Sequence, residues 1–143
     1  NDESRKYALD MLDKYGLGEF KAAYPTQLSG GMRQRAPLIR TLAFKPRLLL
    51  LDEPFSAVDF QTRMTVCDDV HSIIKHEKKT AVLVTHDIAE AVSMADRIVV
   101  LTARPATVKT VFDIDIDAPT PLKRRENPRF SYWFDRVWKE VTL

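Results

Sequence analysis

Four consecutive leucines followed by two acids constrain the fold of this chain more than any other feature. Residues Leu48–Leu51 show no alternation of apolar and polar side chains, and Asp52 and Glu53 follow directly. A short apolar run of this kind is typical of a strand that is buried on both faces of a parallel sheet. A second such run, residues 81–86, ends in polar residues that include His86. The two runs predict two buried strands with polar carboxyl ends.

Helical patterns lie before and between these runs. Apolar residues recur at helical spacing over residues 4–15, and Ser29 is a good N-cap for a helix that runs toward Lys45. Strands that alternate with helices predict an α/β fold with a mostly parallel sheet flanked by helices. The remaining predicted elements are a helix carrying Val66, Val70, Ile73 and Ile74, a helix over 88–95, strands over 97–101 and 107–116, and an amphipathic helix over 130–141.

Composition and charge exclude several classes of protein. The net charge of +2 is too small to indicate nucleic-acid binding. The single cysteine, Cys67, excludes an internal disulfide and is compatible with a reducing cytosol. No apolar run approaches the roughly 18 residues that span a membrane. Because the chain begins at Asn1 rather than at a methionine, we expect it to be a piece of a longer protein.

The polar strand ends are candidates for phosphoryl-transfer chemistry, because ligands of open α/β sheets bind at the carboxyl ends of the strands. Adjacent side chains of a strand point to opposite faces, so Asp52 and Glu53 are expected to hold different roles. One carboxylate would hold Mg²⁺ through its waters, and the other would orient an attacking water. His86 would hydrogen-bond a phosphate oxygen. The structural alternatives are an acidic helix cap and a histidine with only local partners.

The segment Gln27–Arg35, QLSGGMRQR, places two of the four glycines of the chain at the start of a helix. A helix N-terminus presents unpaired backbone N–H groups and the positive end of the helix dipole. Gly30 and Gly31 let an anion approach that backbone without a Cβ in the way, and Ser29 adds a hydroxyl. Alone the signal is weak, because many helices start with a serine and glycines.

In this order, the motifs resemble the second half of the nucleotide-binding subunit of an ABC transporter, over roughly residues 5–116. The resemblance implies an incomplete P-loop NTPase fold, with residues 117–143 forming a C-terminal tail and helix. The segments that carry it are Leu28–Arg35, Leu48–Glu53, Ser56–Asp59 and Thr85–His86.

The resemblance also implies residue roles. Ser29, Gly30, Gly31 and Gln34 resemble the signature motif, which contacts the γ-phosphate of ATP bound on the opposite subunit of a dimer. Asp52 resembles the Walker B aspartate that holds Mg²⁺ through water, and Glu53 resembles the catalytic glutamate. Asp59 resembles the end of the D-loop at the dimer interface, and His86 resembles the switch histidine.

The segments YPTQLSGGMRQR and THDIAEAVSMADRIVVL are similar to bacterial importers of the nitrate, sulfonate and taurine group. This resemblance implies a transport ATPase that uses ATP and Mg²⁺ and lies peripherally on the cytoplasmic face of the cell membrane. The implied partners are a second ATP-binding subunit, transmembrane permease subunits and, indirectly, a solute-binding protein. No nucleic-acid partner is expected, and the basic stretch Lys123–Arg129 is interpreted as a solvated tail.

The chain departs from the family pattern in two places. The family binds ATP with a glycine-rich loop that ends in Gly-Lys-Ser or Gly-Lys-Thr, and here no glycine precedes a lysine. The chain also lacks a suitable Q-loop glutamine, since Gln27 lies directly before the signature. We therefore expect the chain alone to be inactive. Pro37 is the second departure and predicts a bend or a break near residues 33–37.

Two alternatives to an importer ATPase fragment remain open at this point. The chain could be a non-catalytic interaction fragment that offers its signature motif to an intact partner subunit. It could also belong to a soluble ATPase of the same class that is not linked to transport, although no nucleic-acid-binding insertion is evident.

Overall fold

The computed structural model describes residues 2–142 and divides into two compact units, one up to Val82 and one from Leu83 onward. The helices are α1 (Asp2–Lys14), α2 (Gly30–Leu42), α3 (Phe60–His76), α4 (Ile88–Met94), α5 (Pro121–Glu126) and α6 (Arg129–Thr142). The strands are β1 (Leu48–Asp52), β2 (Thr80–Val84), β3 (Arg97–Leu101) and β4 (Val108–Asp113). Residues 18–20 and 25–27 form short 3₁₀ helices.

The first unit is built on α1, α2 and α3, with α2 packed against both of the other helices. Gly16 ends α1 with a φ of +73°, a conformation that glycine adopts without a steric cost. At the same place Lys14 Nζ lies 2.5 Å from Glu77 Oε1, and the Tyr15 hydroxyl donates to the same carboxylate. Burial and this hydrogen bond raise the pKa of Tyr15 to about 12. These contacts fix the end of α1 to the end of α3.

Pro37 lies inside α2, and the helix continues through it without a break. The expected break is therefore wrong, and a bend stays a prediction. Pro37 is exposed, whereas the next two residues, Leu38 and Ile39, are buried. Proline has no N–H to donate to the carbonyl of Arg33, but an exposed ring on the solvent side leaves the buried face of the helix intact.

We expect Pro37→Ala to raise the free energy of unfolding by up to about 3 kcal/mol, because alanine restores the missing donor and suits a helix interior. Urea unfolding of the chain measures the change. Pro37→Gly is the matched control, since glycine restores the N–H but costs about 1 kcal/mol relative to alanine. An unchanged or lower stability for Pro37→Ala would mean that the proline suits its local backbone.

The strands of residues 2–142 form two two-stranded sheets, β1 with β2 and β3 with β4. The β3–β4 pair is antiparallel, with Ile98 opposite Phe112 and Val99 opposite Val111. A mostly parallel sheet can include an antiparallel pair, and this pair is antiparallel for a local reason. The reason is the short connection, residues 102–107, because a parallel pair needs a crossover of a dozen residues or more.

The expected burial of β1 and β2 on both faces is also wrong for the described structure. Leu49 is buried, but Leu50 is 74% exposed, and Val82 and Val84 are about half exposed. The strands alternate between a covered face and an open one. The strand predicted from the leucine run is therefore confirmed. Residues 2–142 bury only one of its two faces.

The second unit has one apolar core, to which α4, the β3–β4 hairpin and α6 contribute: Val92, Ile98, Val100, Phe112, Ile114, Ile116, Trp133 and Val137. The predicted closing helix is confirmed as α6. The interpretation of Lys123–Arg129 as a solvated tail is wrong at Arg124, which is 6% exposed. Its guanidinium donates to the Ala95 carbonyl at 2.6 Å and to Asp96 Oδ1 at 3.0 Å. The Arg124 side chain is buried in a polar stretch because these two hydrogen bonds engage both terminal nitrogens of its guanidinium.

Candidate functional site

The N-terminus of α2 is held by the cap that the sequence predicts. Ser29 is exposed in extended backbone, and its Oγ accepts a hydrogen bond from the Met32 N–H at 3.3 Å. Arg33 donates from Nη1 to the Leu28 carbonyl at 2.6 Å, which fixes the residue before the cap. The first turn of α2 thus keeps a defined orientation. Gln34 follows it in the second turn and is half-buried.

The fold itself does not require glycine at positions 30 and 31. Neither residue has a positive φ, since among the described glycines only Gly16 does. A Cβ at Gly30 would lie 3.5 Å from Thr62 Cγ2, and a Cβ at Gly31 would lie 3.8 Å from Val66 Cγ2. Both distances are ordinary van der Waals contacts. Two helical glycines cost roughly 0.5–1 kcal/mol each relative to alanine, and nothing in the described packing compensates that cost.

The segment between β1 and α3 is a series of tight turns anchored by buried Phe55. The Ser56 N–H and Oγ both donate to the Glu53 carbonyl, at 3.3 and 3.1 Å. Asp59 then caps α3, because its Oδ1 accepts from the Thr62 N–H at 3.0 Å. The Thr62 backbone hydrogen bond lowers the pKa of Asp59. Asp59 is therefore the N-cap of α3, a structural role that the sequence analysis did not assign to it.

Thr62 contacts both motif segments. Its backbone N–H donates to Asp59 Oδ1, and its Cγ2 atom would lie 3.5 Å from a Cβ at Gly30. The first turns of α2 and α3 therefore lie together, as the contact between these helices requires. Sequence reasoning missed Thr62. Its available signal was the spacing Asp59-x-x-Thr62, which is typical of an N-cap and its third helical residue.

Asp52 and Glu53 do not stand on one strand as expected. Asp52 is the last residue of β1 and is exposed, whereas Glu53 lies beyond the strand with a φ of +45°. The alternation argument for these two side chains is therefore wrong, because the chain turns directly after Asp52. A left-handed residue other than glycine costs about 1–3 kcal/mol, and such residues are concentrated at functional sites.

His86 follows β2 by two residues and is exposed within a short turn. The Thr85 Oγ1 accepts from the Asp87 N–H at 3.1 Å, and Asp87 Oδ1 accepts from the Glu90 N–H at 3.0 Å, which caps α4. Glu53 follows β1 in the first unit, and His86 follows β2 in the second. That their side chains meet at one phosphate stays a prediction.

A cavity of about 690 Å³ lies between α1 and α2 and contains none of the predicted site residues. Its walls are mainly apolar and include Tyr7, Leu12, Ile39 and Phe44. The predicted site residues lie at the starts of helices and after the ends of strands. A ligand that binds them would therefore bind on the surface of the chain and outside this cavity.

Among residues 2–142, no group of three or more His, Cys, Asp or Glu side chains is arranged to hold a metal ion. Where Mg²⁺ binds a protein together with substrate phosphates, it keeps several waters and takes one or two carboxylates. The exposed carboxylate of Asp52 fits that requirement. No described helix has the length and hydropathy needed to cross a membrane.

Comparison with known proteins decides the family. The family model described as ABC transporter matches residues 1–56, which include the segment Leu28–Arg35 and both Asp52 and Glu53. The uncharacterized ABC transporter ATP-binding protein YtlC of Bacillus subtilis is 48% identical over 142 residues, covering 98% of this chain and 55% of that protein. The chain belongs to the ABC transporter ATP-binding protein family.

Other members of the ABC transporter family agree with this assignment. The nitrate import ATP-binding protein NrtD of Synechocystis is 39% identical and covers 88% of this chain and 50% of NrtD. The aliphatic sulfonates import ATP-binding protein SsuB 2 of Pseudomonas syringae is 40% identical and covers 88% of this chain and 53% of SsuB 2. The chain thus spans about half the length of these relatives.

The fold class is confirmed by a solved structure of an ABC transporter in an inward-facing conformation. It matches 79% of this chain and 45% of its own chain, with a TM-score of 0.61 and 27% identity. The chain therefore has the α/β fold of a P-loop NTPase in part.

Proposed function

We propose that this chain is part of the ATP-binding subunit of a bacterial importer of the nitrate, sulfonate and taurine type. When complete, the subunit would couple ATP hydrolysis to solute uptake. The relationship to NrtD and SsuB 2 supports the importer type. The observation that carries the ATP-dependent function is the open first turn of α2, where Gly30 and Gly31 have no structural need to be glycine.

In this proposal the residues divide between two nucleotides of a dimer. Ser29, Gly30, Gly31 and Gln34 meet the γ-phosphate held by the opposite subunit, because backbone N–H groups at a helix N-terminus bind anions. Asp59 lies beside them at the same interface, as the shared contact with Thr62 supports.

The acids and His86 act in the chain's own half of the site. Asp52 would hold Mg²⁺ through its waters, Glu53 would orient and deprotonate the attacking water, and His86 would donate to the γ-phosphate. A positive φ also occurs at Lys45 and Lys78, so the role proposed for Glu53 rests on its place directly after Asp52.

The same proposal names partners and place. A second ATP-binding subunit, permease subunits and, indirectly, a solute-binding protein would complete the transporter at the cytoplasmic face of the membrane. Residues 1–116 would belong to the ATP-binding domain, and residues 117–143 would form its C-terminal tail and helix.

Gly31→Ala tests this proposal in a complete subunit, made by joining the chain to the part of YtlC that it does not match. ATP hydrolysis is expected to fall on the order of 10²-fold, because the methyl group obstructs donors to the γ-phosphate. The free energy of unfolding should be unchanged or higher by roughly 0.5–1 kcal/mol. Steady-state phosphate release and urea unfolding measure the two quantities.

Gly16→Ala is the matched control with the opposite expectation. Its backbone has a φ of +73°, so a Cβ strains the turn and lowers stability, while the distant first turn of α2 keeps its anion-binding groups. Full hydrolysis by Gly31→Ala would contradict the proposed role of the signature segment.

A further inference from the structure

The buried side chain of Arg124 connects α5, in the C-terminal tail, to the end of α4. One terminal nitrogen of its guanidinium donates to the Ala95 carbonyl at 2.6 Å, and the other donates to Asp96 Oδ1 at 3.0 Å. Ala95 is the C-cap of α4, and Asp96 is the next residue. These two hydrogen bonds, called the Arg124 clamp, therefore hold the C-terminal end of α4.

Helix α4 is short enough to depend on such attachments. It has only seven residues, and isolated helices of that length are not stable in water. Val92 is fully buried and fixes one side of the helix to the core of the second unit. The last carbonyls of a helix have no partner within it, and a cation is favourable at this negative end of the helix dipole. Arg124 supplies both a donor and the positive charge.

His86 lies directly before the opposite end of α4. Asp87 is the N-cap, and its Oδ1 accepts from the Glu90 N–H at 3.0 Å. The Asp87 N–H donates to Thr85 Oγ1 at 3.1 Å, so this hydrogen bond spans His86. A seven-residue helix is about 10 Å long and moves as one piece. Because His86, α4 and α5 all belong to the second unit, a shift of the clamped end changes the position of His86.

Stability alone explains poorly why an arginine is buried at this place. Among residues 2–142 the Arg124 Nε is buried and donates to no acceptor, which costs free energy. Apolar side chains of similar volume often replace buried ion pairs without a loss of stability. An apolar side chain lacks the two directed donors that set where Ala95 and Asp96 lie. The contacts therefore favour a role in positioning over a role in packing.

We propose that Arg124 is a positioning residue for His86 and acts through α4. The inference rests on the proposed function, in which His86 would donate to the γ-phosphate of ATP. It adds that the C-terminal tail sets the place of His86 through the Arg124 clamp. Without the clamp, Val92 still holds α4 in the core, but the two ends of the helix shift. A misplacement of about 1 Å lowers the rate of an enzyme by up to about 10²-fold.

Hydrogen exchange of the 143-residue chain tests the clamp without ATP. In Arg124→Gln the amides of Asp87 and Ala95, one at each end of α4, should exchange about tenfold faster or more, because the end of the helix loses its attachment. The matched control is Arg129→Gln, which removes a tail arginine that pairs with Asp115 and not with α4. In the control these two amides should keep their wild-type rates.

Two outcomes of the exchange experiment would overturn the proposal. Unchanged exchange at both ends of α4 in Arg124→Gln would mean that the clamp does not hold the helix. An equal acceleration in α4, β3 and β4 would mean that Arg124 stabilises the whole unit and positions nothing in particular. Circular dichroism verifies that each variant is folded.

Turnover of the complete subunit, joined to the unmatched part of YtlC, tests the action on His86. Arg124→Gln should lower kcat about tenfold or more and leave the KM for ATP near its wild-type value. Combined with His86→Ala, it should cause no further loss, because both changes remove the same contact. Losses that multiply would overturn the proposal. Wild-type turnover in His86→Ala would instead contradict the proposed function of His86, and the positioning role with it, while faster exchange in α4 would still identify the clamp.

Discussion

In a complete subunit, Glu53→Gln is expected to lower ATP turnover by about 10²- to 10⁴-fold and to leave ATP binding intact. Glutamine keeps the size and hydrogen-bonding reach of the side chain but accepts no proton from the attacking water. Glu53 lies one residue beyond the exposed Asp52 that is proposed to hold Mg²⁺. Steady-state phosphate release and titration with Mg-ATP separate turnover from binding.

Glu126→Gln is the matched control for this variant. It makes the same chemical change at an exposed glutamate of α5, whose Oε2 accepts a hydrogen bond from Lys123 Nζ at 2.7 Å. Turnover of that variant should match the wild type. Wild-type turnover in Glu53→Gln would mean that another group activates the water, and the proposed role of Glu53 would be wrong.

The elements with strong local signals could be predicted from the sequence. Ser29 caps α2 because its hydroxyl reaches the Met32 N–H, a contact that depends only on residues three apart. Gly16 ends α1 because the chain needs a left-handed residue there. The strand Arg97–Leu101 and the closing helix follow equally from short-range patterns of apolar residues.

Features that depend on distant partners could not be predicted in the same way. The leucine run is typical of a strand with two covered faces, but Leu50 is exposed because cover depends on the rest of the fold. The polar composition of residues Lys123–Arg129 is typical of a solvated tail, but Arg124 is buried. Its burial depends on the Ala95 carbonyl and Asp96, some thirty positions earlier in the chain.

The candidate site shows the same division. The motif residues themselves are recognisable in the sequence, but the contact of Gly30 with Thr62 depends on the packing of α2 against α3. The backbone of Glu53 was also unpredictable, because a left-handed glutamate has no propensity signal. The structure shows that the packing of the chain does not require glycine at positions 30 and 31. Their presence therefore needs a functional explanation.

The 143-residue chain alone is expected to show no measurable ATP hydrolysis. Phosphoryl transfer depends mainly on positioning and charge stabilisation, and the glycine-rich loop with its lysine supplies much of both in P-loop NTPases. None of the four glycines here precedes a lysine. In the proposed function Asp52, Glu53 and His86 would contact only the γ-phosphate end, so we expect the β-phosphate and the base to lack partners within these 143 residues.

A dimer of this chain is not expected to restore activity, because in the proposed function the signature segment serves the nucleotide of the opposite subunit and each copy would bring the same incomplete half-site. Isothermal titration with Mg-ATP should therefore show no micromolar binding, and phosphate release should stay at the level of buffer. The positive control is the chain joined to the unmatched part of YtlC, which should bind and hydrolyse ATP. Micromolar binding with turnover by the chain alone, both lost in Asp52→Ala and Glu53→Gln, would contradict the prediction. That result would mean that residues within the chain hold the whole triphosphate.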